Sequence, residues 1–164
     1  MELYFKDNFL NAGIGDIMNE TGGKIGSLDL KGAFGSSLDV YDVGGAKLFS
    51  GKFNWGKWEV TAADGLSVGM LRARLSFFSK RFTYDAVGSG MFEITSPALS
   101  KDYNIERSSG GTVATFARTN NWMMPGAYCL NTLTTDLDIY ELVAVVMGVN
   151  AIRKRQQSSS NSGA

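Results

Sequence analysis

Apolar and polar residues alternate over much of the first 130 residues, which is the pattern of strands that bury one face of a sheet. The alternation is clearest over residues 71–77, where one face carries the apolar side chains of Leu71, Ala73, Leu75 and Phe77. Arg72 and Arg74 fall on the opposite face of the same segment. This segment therefore predicts a strand with an apolar inner face and a basic outer face.

Turn signals divide this region at nearly even spacing. Five residue pairs contain glycine, which readily takes the positive φ of tight hairpin turns: Gly22-Gly23, Gly44-Gly45, Asp64-Gly65, Ser89-Gly90 and Gly110-Gly111. They lie roughly 20 to 25 residues apart, the length of one hairpin with its connection to the next. With one further strand near residues 2–6 and another near residues 127–133, the pattern predicts about twelve antiparallel strands.

The region after the last predicted strand has a different pattern. Residues 137–152 are mostly apolar, and between Leu142 and Ile152 only Asn150 is polar. A helix without a polar face must be enclosed by protein or by lipid. We therefore predict a hydrophobic C-terminal helix over about residues 136–155.

The predicted helix and the predicted strands are compatible with one arrangement, in which the helix fills a barrel. An eight-stranded barrel is filled by its own side chains, whereas a wider barrel needs a further element inside it. Barrels of eleven strands can hold a central helix, and closure removes the exposed edges of a sheet. We therefore predict a mainly β (α+β) domain over residues 1–155, a closed antiparallel barrel of about twelve strands around the central helix. The polar residues 156–164 are expected to form a disordered tail.

Repeated hairpins, a Tyr-x-Leu strand, an acidic helix cap and an apolar terminal helix resemble the tubby C-terminal-like superfamily, in particular its LURP-one-related branch of small proteins. The resemblance is carried by the segments Leu38–Asp42, Tyr103–Glu106, Tyr128–Leu130, Asp136–Asp138 and Leu142–Val146. It implies a twelve-stranded barrel around a central hydrophobic helix. The superfamily includes phospholipid scramblases and tubby-type domains that bind phosphoinositides, so the resemblance implies lipid headgroups as a class of ligand. This chain has no signature that identifies a scramblase.

Composition excludes several kinds of catalytic site. The chain of 164 residues contains no histidine, which excludes Ser-His-Asp and Cys-His catalysis in their usual forms and removes the commonest transition-metal ligand. Its single cysteine, Cys129, lies in a predicted strand and is expected to be a small core residue rather than a nucleophile. Asp136 and Asp138 are better explained as helix-capping groups than as a catalytic carboxylate pair. We therefore expect neither an enzyme activity nor a metal or other cofactor.

The candidate binding residues form a basic and aromatic cluster. It consists of Arg72, Arg74, Lys80, Arg81 and Phe78. Arg72 and Arg74 share the outer face of one predicted strand, and Lys80 and Arg81 follow at the next turn. Guanidinium groups match the oxygen atoms of a phosphate, so the cluster predicts a site for an anionic lipid headgroup, with Phe78 touching the membrane interface. The alternative interpretation is an ordinary solvated barrel exterior.

Charge and the terminal sequence bear on partners and location. Sixteen basic and sixteen acidic residues give a formal net charge of zero, so we expect no nucleic-acid partner. A single cysteine fits a reducing compartment, and the N-terminal residues lack the pattern of a secretory signal. These features predict a cytoplasmic protein, with peripheral association at a membrane left open. The expected partner is an anionic phospholipid or membrane surface, or another protein, and the sequence specifies no oligomeric state.

A second hypothesis places the apolar helix in a bilayer, as in a tail-anchored or scramblase-like membrane protein. The basic run Arg153–Arg155 at the end of the helix and the small residues Ala144 and Gly148 within it are compatible with that arrangement. The length argues against it, because residues 137–152 span about 24 Å as a helix, against about 30 Å for the hydrocarbon core. In a barrel, the same small residues predict a place where a strand approaches the helix closely.

Overall fold

Twelve antiparallel strands and one α-helix follow one another in the computed structural model, which describes residues 1–32, 36–76, 79–97, 100–120 and 126–163. In chain order, the elements are β1 (Glu2–Phe5), a 3-10 turn (Asp7–Leu10), β2 (Gly13–Met18), β3 (Lys24–Lys31), β4 (Ser37–Asp42), β5 (Lys47–Asn54), β6 (Lys57–Ala62), β7 (Ser67–Arg74), β8 (Ser79–Ala86), β9 (Gly90–Pro97), β10 (Tyr103–Arg107), β11 (Thr112–Arg118), β12 (Tyr128–Thr132) and α1 (Ile139–Asn161). The strands on either side of the five predicted glycine turns agree with these bounds, except that β7 ends at Arg74, before the end of the strand predicted over residues 71–77.

The sheet closes into a barrel because β1 pairs on both of its sides. Each strand pairs with the strands before and after it, and β1 also pairs with β12. Leu3 lies opposite Leu130 across this seam, and Tyr4 lies opposite Met18 of β2 on the other side. The described strands therefore leave no free edge. The predicted fold class, a closed antiparallel barrel of twelve strands with a C-terminal helix, is confirmed.

The two ends of the barrel differ. The five predicted hairpin turns join β2 to β3, β4 to β5, β6 to β7, β8 to β9 and β10 to β11, so all of them lie at one end. Their positive-φ glycines include Gly22, Gly45, Gly65, Gly90 and Gly110. We call this end the entrance, because α1 begins there and Tyr140 Oη donates to the carbonyl oxygen of Ile25 at 3.0 Å. We call the opposite end, where α1 leaves the barrel, the exit end.

The apolar part of α1 occupies the interior of the barrel. Asp138 caps the helix, since its carboxylate accepts a hydrogen bond from the backbone N–H of Tyr140 at 2.8 Å. Every residue from Leu142 to Ile152 is buried, and α1 packs most closely against β4 to β7. The strands thus enclose the part of the helix that has no polar face. Of the helices in the described ranges, none combines the length and the apolar character needed to cross a membrane.

The helix is longer than the sequence predicts. The pattern predicts its end near Arg155 and a disordered tail beyond it, whereas α1 continues to Asn161. Each residue added to an existing helix gains one backbone hydrogen bond without a new nucleation step, so the enclosed turns favour the polar extension. Ser159 Oγ contributes a hydrogen bond to the Arg155 carbonyl oxygen at 3.1 Å. The helix thus includes residues 156–161, where the sequence predicts a disordered tail.

The small residues of α1 pack against an indole ring rather than against the backbone of a strand. Trp58 of β6 is fully buried, and its Nε1 donates to the carbonyl oxygen of Ala144 at 3.1 Å. A Cβ atom at Gly148 would overlap the same ring, and one at Gly51 of β5 would lie 2.5 Å from it. The close approach predicted at Ala144 and Gly148 is present, but Trp58 makes it.

Candidate functional site

Three of the predicted binding residues lie on the outer face of the β7–β8 hairpin. In the register of the two strands, Arg74 lies opposite Arg81, and Arg72 lies opposite Thr83. Opposed residues of antiparallel strands point to the same face of the sheet. All three arginines are exposed. We call the side chains of Arg72, Arg74 and Arg81 the outer arginine face.

The outer arginine face has little compensating negative charge. None of its side chains belongs to an ion pair in the part of the chain that the structure describes. A cleft of about 150 Å³ lies between Arg74 and Arg81, and Glu93 of β9 contributes one carboxylate to it. Because β7 ends at Arg74, Leu75 is fully exposed next to the arginines, whereas alternation predicts it on the inner face.

Lys80 lies apart from the outer arginine face. It is on the inner face of β8, in alternation with the buried side chains of Phe82 and Tyr84, at the exit end of the barrel. Partial burial, and then the charge of Arg153 on α1, lower the pKa of the Lys80 ammonium group. The predicted cluster is therefore two separate basic features, one on each side of β8. Phe78, the aromatic member of the prediction, lies outside the described residues.

A chain of hydrogen bonds runs from the exit end into the barrel. Arg153 Nη1 donates to Tyr103 Oη of β10 at 2.5 Å, and Tyr103 Oη donates to Asn150 Oδ1 at 3.0 Å. Asn150 Nδ2 donates to the carbonyl oxygen of Val146 at 3.2 Å. The amide of Asn150 thus has the partners that a buried polar group requires.

Lys154 and Arg155 attach α1 to two further parts of the wall. Lys154 Nζ donates to the carbonyl oxygen of Leu10 at 2.7 Å. The Arg155 guanidinium carbon lies 3.5 Å from the centre of the Phe53 ring on β5. Successive residues of a helix point about 100° apart, so these two cations and Arg153 reach different sides of the barrel. The sequence places them at the end of the helix, but they lie inside α1 and hold it in position.

Charge is distributed unevenly between the two ends of the barrel. The acidic residues near the entrance include Glu20, Asp42, Asp64, Asp136 and Asp138. The basic residues near the exit end include Lys80, Lys101, Arg153, Lys154 and Arg155, in addition to the outer arginine face. Arg107, a cation near the entrance, forms an ion pair with Asp136. Although the net charge of the chain is zero, the exit end is therefore basic and attracts anions.

Cys129 of β12 is half-buried and alternates with the buried side chains of Tyr128 and Leu130, so it lies on the outer face of the sheet, whereas the sequence predicts a core residue. Burial, and then the nearby carboxylate of Glu2, raise the pKa of the Cys129 thiol. A thiol that stays protonated is a poor nucleophile. Nowhere in the described ranges do three or more carboxylate or cysteine side chains come together as possible metal ligands. The basic features at the exit end are candidates for binding an anion.

Comparison with known proteins bears on the fold. No protein-family model matches the chain, and no curated protein matches it. The chain is similar to the X-ray structure of AT5G01750, a protein from Arabidopsis thaliana, with a TM-score of 0.65 and 12% sequence identity. The match covers 93% of this chain and 90% of that chain. At this level of identity, the likeness shows a shared fold alone.

Proposed function

We propose that this protein is a non-enzymatic module that binds anionic phospholipid headgroups through its outer arginine face. The observation that carries the proposal is the register of β7 and β8, which sets Arg74 beside Arg81 on one exposed surface. Two neighbouring guanidinium groups offer several N–H donors to the oxygen atoms of one phosphate. Neither group is engaged in an ion pair within the described residues, so both remain available to an anion.

Leu75 supports a membrane as the source of the headgroup. Its side chain is fully exposed immediately after Arg74, where the chain leaves β7. An apolar side chain beside cations can enter the interfacial region while the cations contact headgroups. Each basic residue near an anionic surface contributes about 1 kcal/mol, and Lys101 and Arg155 lie at the same end of the barrel.

The architecture supports kinship with tubby-like proteins. The resemblance of the sequence implies twelve strands around a central helix, and the chain has this arrangement. The Arabidopsis protein shares the fold over nearly its whole length. We therefore propose that the chain is a small member of the LURP-one-related branch that acts in the cytoplasm and peripherally at membranes.

Two alternatives involve the same structural features. The exposed arginines and Leu75 also suit the acidic and apolar surface of a protein partner. The tail-anchored or scramblase-like alternative would require the apolar residues of α1 to leave the barrel that encloses them. The lack of histidine in the sequence supports a role without catalysis.

Vesicle flotation tests the proposal. The full chain is mixed with vesicles of phosphatidylcholine alone, or of phosphatidylcholine with phosphatidylserine. We expect the protein to float only with the anionic vesicles, and added salt to weaken the association. The double variant Arg72→Glu/Arg74→Glu is expected to stay in the bottom fraction, because it reverses two charges of the outer arginine face.

The matched control reverses two lysines on another strand. Lys47 and Lys52 of β5 are both exposed, so Lys47→Glu/Lys52→Glu changes the net charge equally without altering the outer arginine face. We expect this control to retain most of the flotation. Absence of flotation in the wild type, or equal flotation of the two double variants, contradicts the proposal.

A further inference from the structure

The part of α1 that extends beyond the barrel presents a polar stripe. The spacing of Arg153, Gln156, Gln157 and Ser160 by three or four residues puts them on one face of the helix. This face lies opposite Lys80 of β8, and the five side chains line a cleft of about 200 Å³, which we call the exit cleft. Sequence reasoning missed the stripe because a serine-rich segment after Arg155 was expected to be disordered.

The exit cleft carries positive charge without compensation. Its lining within the described residues contains no carboxylate. Two acidic groups at this end are engaged with Arg118: Asp102 accepts a hydrogen bond from its backbone N–H at 3.1 Å, and the Asp7 carboxylate lies 3.9 Å from its guanidinium group. Partial burial lowers the pKa of the Lys80 ammonium group, and the nearby charge of Arg153 lowers it further. Two like charges in a partly desolvated cleft create a potential that favours an anion.

Arg153 also borders a second, larger cleft. This cleft measures about 290 Å³, and its lining includes the cations Lys101 and Lys154. Arg153 and Gln157 line both clefts, so positive charge continues around the exposed part of α1. One nitrogen of Arg153 donates to Tyr103 Oη, and the remaining N–H groups of the guanidinium can serve a ligand.

We propose that the exit cleft binds a phosphate monoester or pyrophosphate group. Lys80 and Arg153 supply charged donors, and the amides of Gln156 and Gln157 supply neutral ones. Ser160 also lines the cleft, and its Oγ donates to the carbonyl oxygen of Gln156 at 3.0 Å. A single water occupies about 30 Å³, so this volume accommodates a phosphate group with several waters.

The exit cleft is independent of the outer arginine face. Lys80 and Arg81 are neighbours on β8, but successive residues of a strand point to opposite faces. Lys80 points towards α1, whereas Arg81 points outward with Arg74. The two sites can therefore be altered separately.

Two probes test the exit cleft and distinguish the source of the phosphate. The full chain is titrated with sodium pyrophosphate by calorimetry, and is sedimented with phosphatidylcholine vesicles that contain phosphatidic acid, whose headgroup is a phosphate monoester. Lys80→Gln removes one cation, and Gln156→Glu places a carboxylate at an exposed position of the cleft. Lys52→Gln removes an exposed lysine of β5 and is the matched control.

We expect the wild type and Lys52→Gln to bind at least one probe with equal affinity. Lys80→Gln is expected to bind that probe about ten-fold more weakly, as for the loss of one charged hydrogen bond. Gln156→Glu is also expected to bind it more weakly, because its carboxylate repels the anion. Pyrophosphate binding identifies a soluble ligand, and vesicle binding alone identifies a lipid. Because the outer arginine face also predicts association with anionic vesicles, vesicle binding supports the exit cleft only if Lys80→Gln and Gln156→Glu weaken it and Lys52→Gln does not.

Three outcomes overturn the proposal. The first is that neither probe binds, and the second is that all four proteins bind with equal affinity. The third is that Arg72→Glu/Arg74→Glu abolishes pyrophosphate binding, because this would assign the anion to the outer arginine face. We expect that double variant to retain pyrophosphate binding even if it loses flotation with phosphatidylserine vesicles, so the two proposals can fail separately.

Discussion

Gly148 is a position at which one methyl group changes the packing of the core. The indole ring of Trp58 lies directly on this glycine and donates to the Ala144 carbonyl oxygen. The ring also packs against the backbone at Gly51, so it has no free side towards which to move. The sequence reveals the small residues of α1, but not which side chain packs against them, because Trp58 is far away along the chain.

We predict that Gly148→Ala destabilises the protein. Overpacking costs about 1–3 kcal/mol, whereas alanine gains about 1 kcal/mol over glycine in a helix. The free energy of unfolding is therefore expected to fall by up to about 2 kcal/mol, as measured by urea denaturation. Gly15→Ala is the control, because its added Cβ meets no atom closer than 3.7 Å, at Leu28. Unchanged stability in both variants would show that the indole does not depend on Gly148.

Glu141 is a carboxyl group inside the barrel. Tyr84 Oη donates to Glu141 Oε1 at 2.5 Å. Burial raises the pKa of the Glu141 carboxyl group, although the hydrogen bond from Tyr84 opposes this shift. The folded-state pKa thus lies above the unfolded value of about 4.3. Such a group contributes its stability below the unfolded pKa, and this contribution is lost as the pH rises through the folded pKa.

We therefore predict that Glu141→Gln gains stability relative to the wild type as the pH rises from about 4 to about 8. The amide keeps an oxygen acceptor for Tyr84 and has no charge to desolvate. Urea unfolding of both proteins at each pH gives the difference, in which the other ionisable groups cancel. Glu93→Gln, which removes an exposed carboxylate on β9, is the control. A difference for Glu141→Gln that stays constant or decreases with pH would refute the assigned shift.

At the scale of elements, the enclosed part of α1 could be predicted from the sequence, and the exposed part could not. A helix that is apolar on every side can be recognised from the sequence, because it must be enclosed by protein or lipid. Beyond Arg155, residues 156–161 have a composition that suits coil as well as helix. Their helical state depends on the turns already formed inside the barrel, and a local pattern does not report that dependence.

The orientation of Lys80 could not be predicted for a related reason. Alternation correctly places Arg72 and Arg74 on the outer face of β7. The phase of β8 depends on how the chain returns after Arg74, and a shift by one residue exchanges its two faces. The pairing of Arg74 with Arg81 determines that Lys80 faces α1.

We predict that α1 is required for the barrel to fold. A chain ending at residue 138 lacks the apolar residues that fill the interior, so it should show no cooperative urea transition. A chain ending at residue 155 keeps the enclosed segment and the wall contacts of Arg153, Lys154 and Arg155, and it should unfold cooperatively. Far-ultraviolet circular dichroism measures both transitions. A cooperative transition in the shorter chain would mean that the strands fill the barrel unaided.

For the whole molecule, the sequence predicts the architecture better than it predicts how charge is distributed between the two ends of the barrel. The twelve strands and the central helix follow from periodicity, which is a local property. The net charge of zero predicts no preference for an anion, yet the closed topology gathers acidic turns at the entrance and basic residues at the exit end. This separation depends on which connections share an end of the barrel, so composition alone does not contain it.

The order of the elements has a consequence for biosynthesis. The helix that fills the barrel comes after all twelve strands, and the first strand closes the seam with the last. A ribosome must therefore make residues 139–152 before the interior has any occupant. Until then, the strands expose apolar surface, the condition in which nascent chains aggregate. Cells that express this protein therefore have to protect the unfilled strands until synthesis has passed the enclosed part of α1.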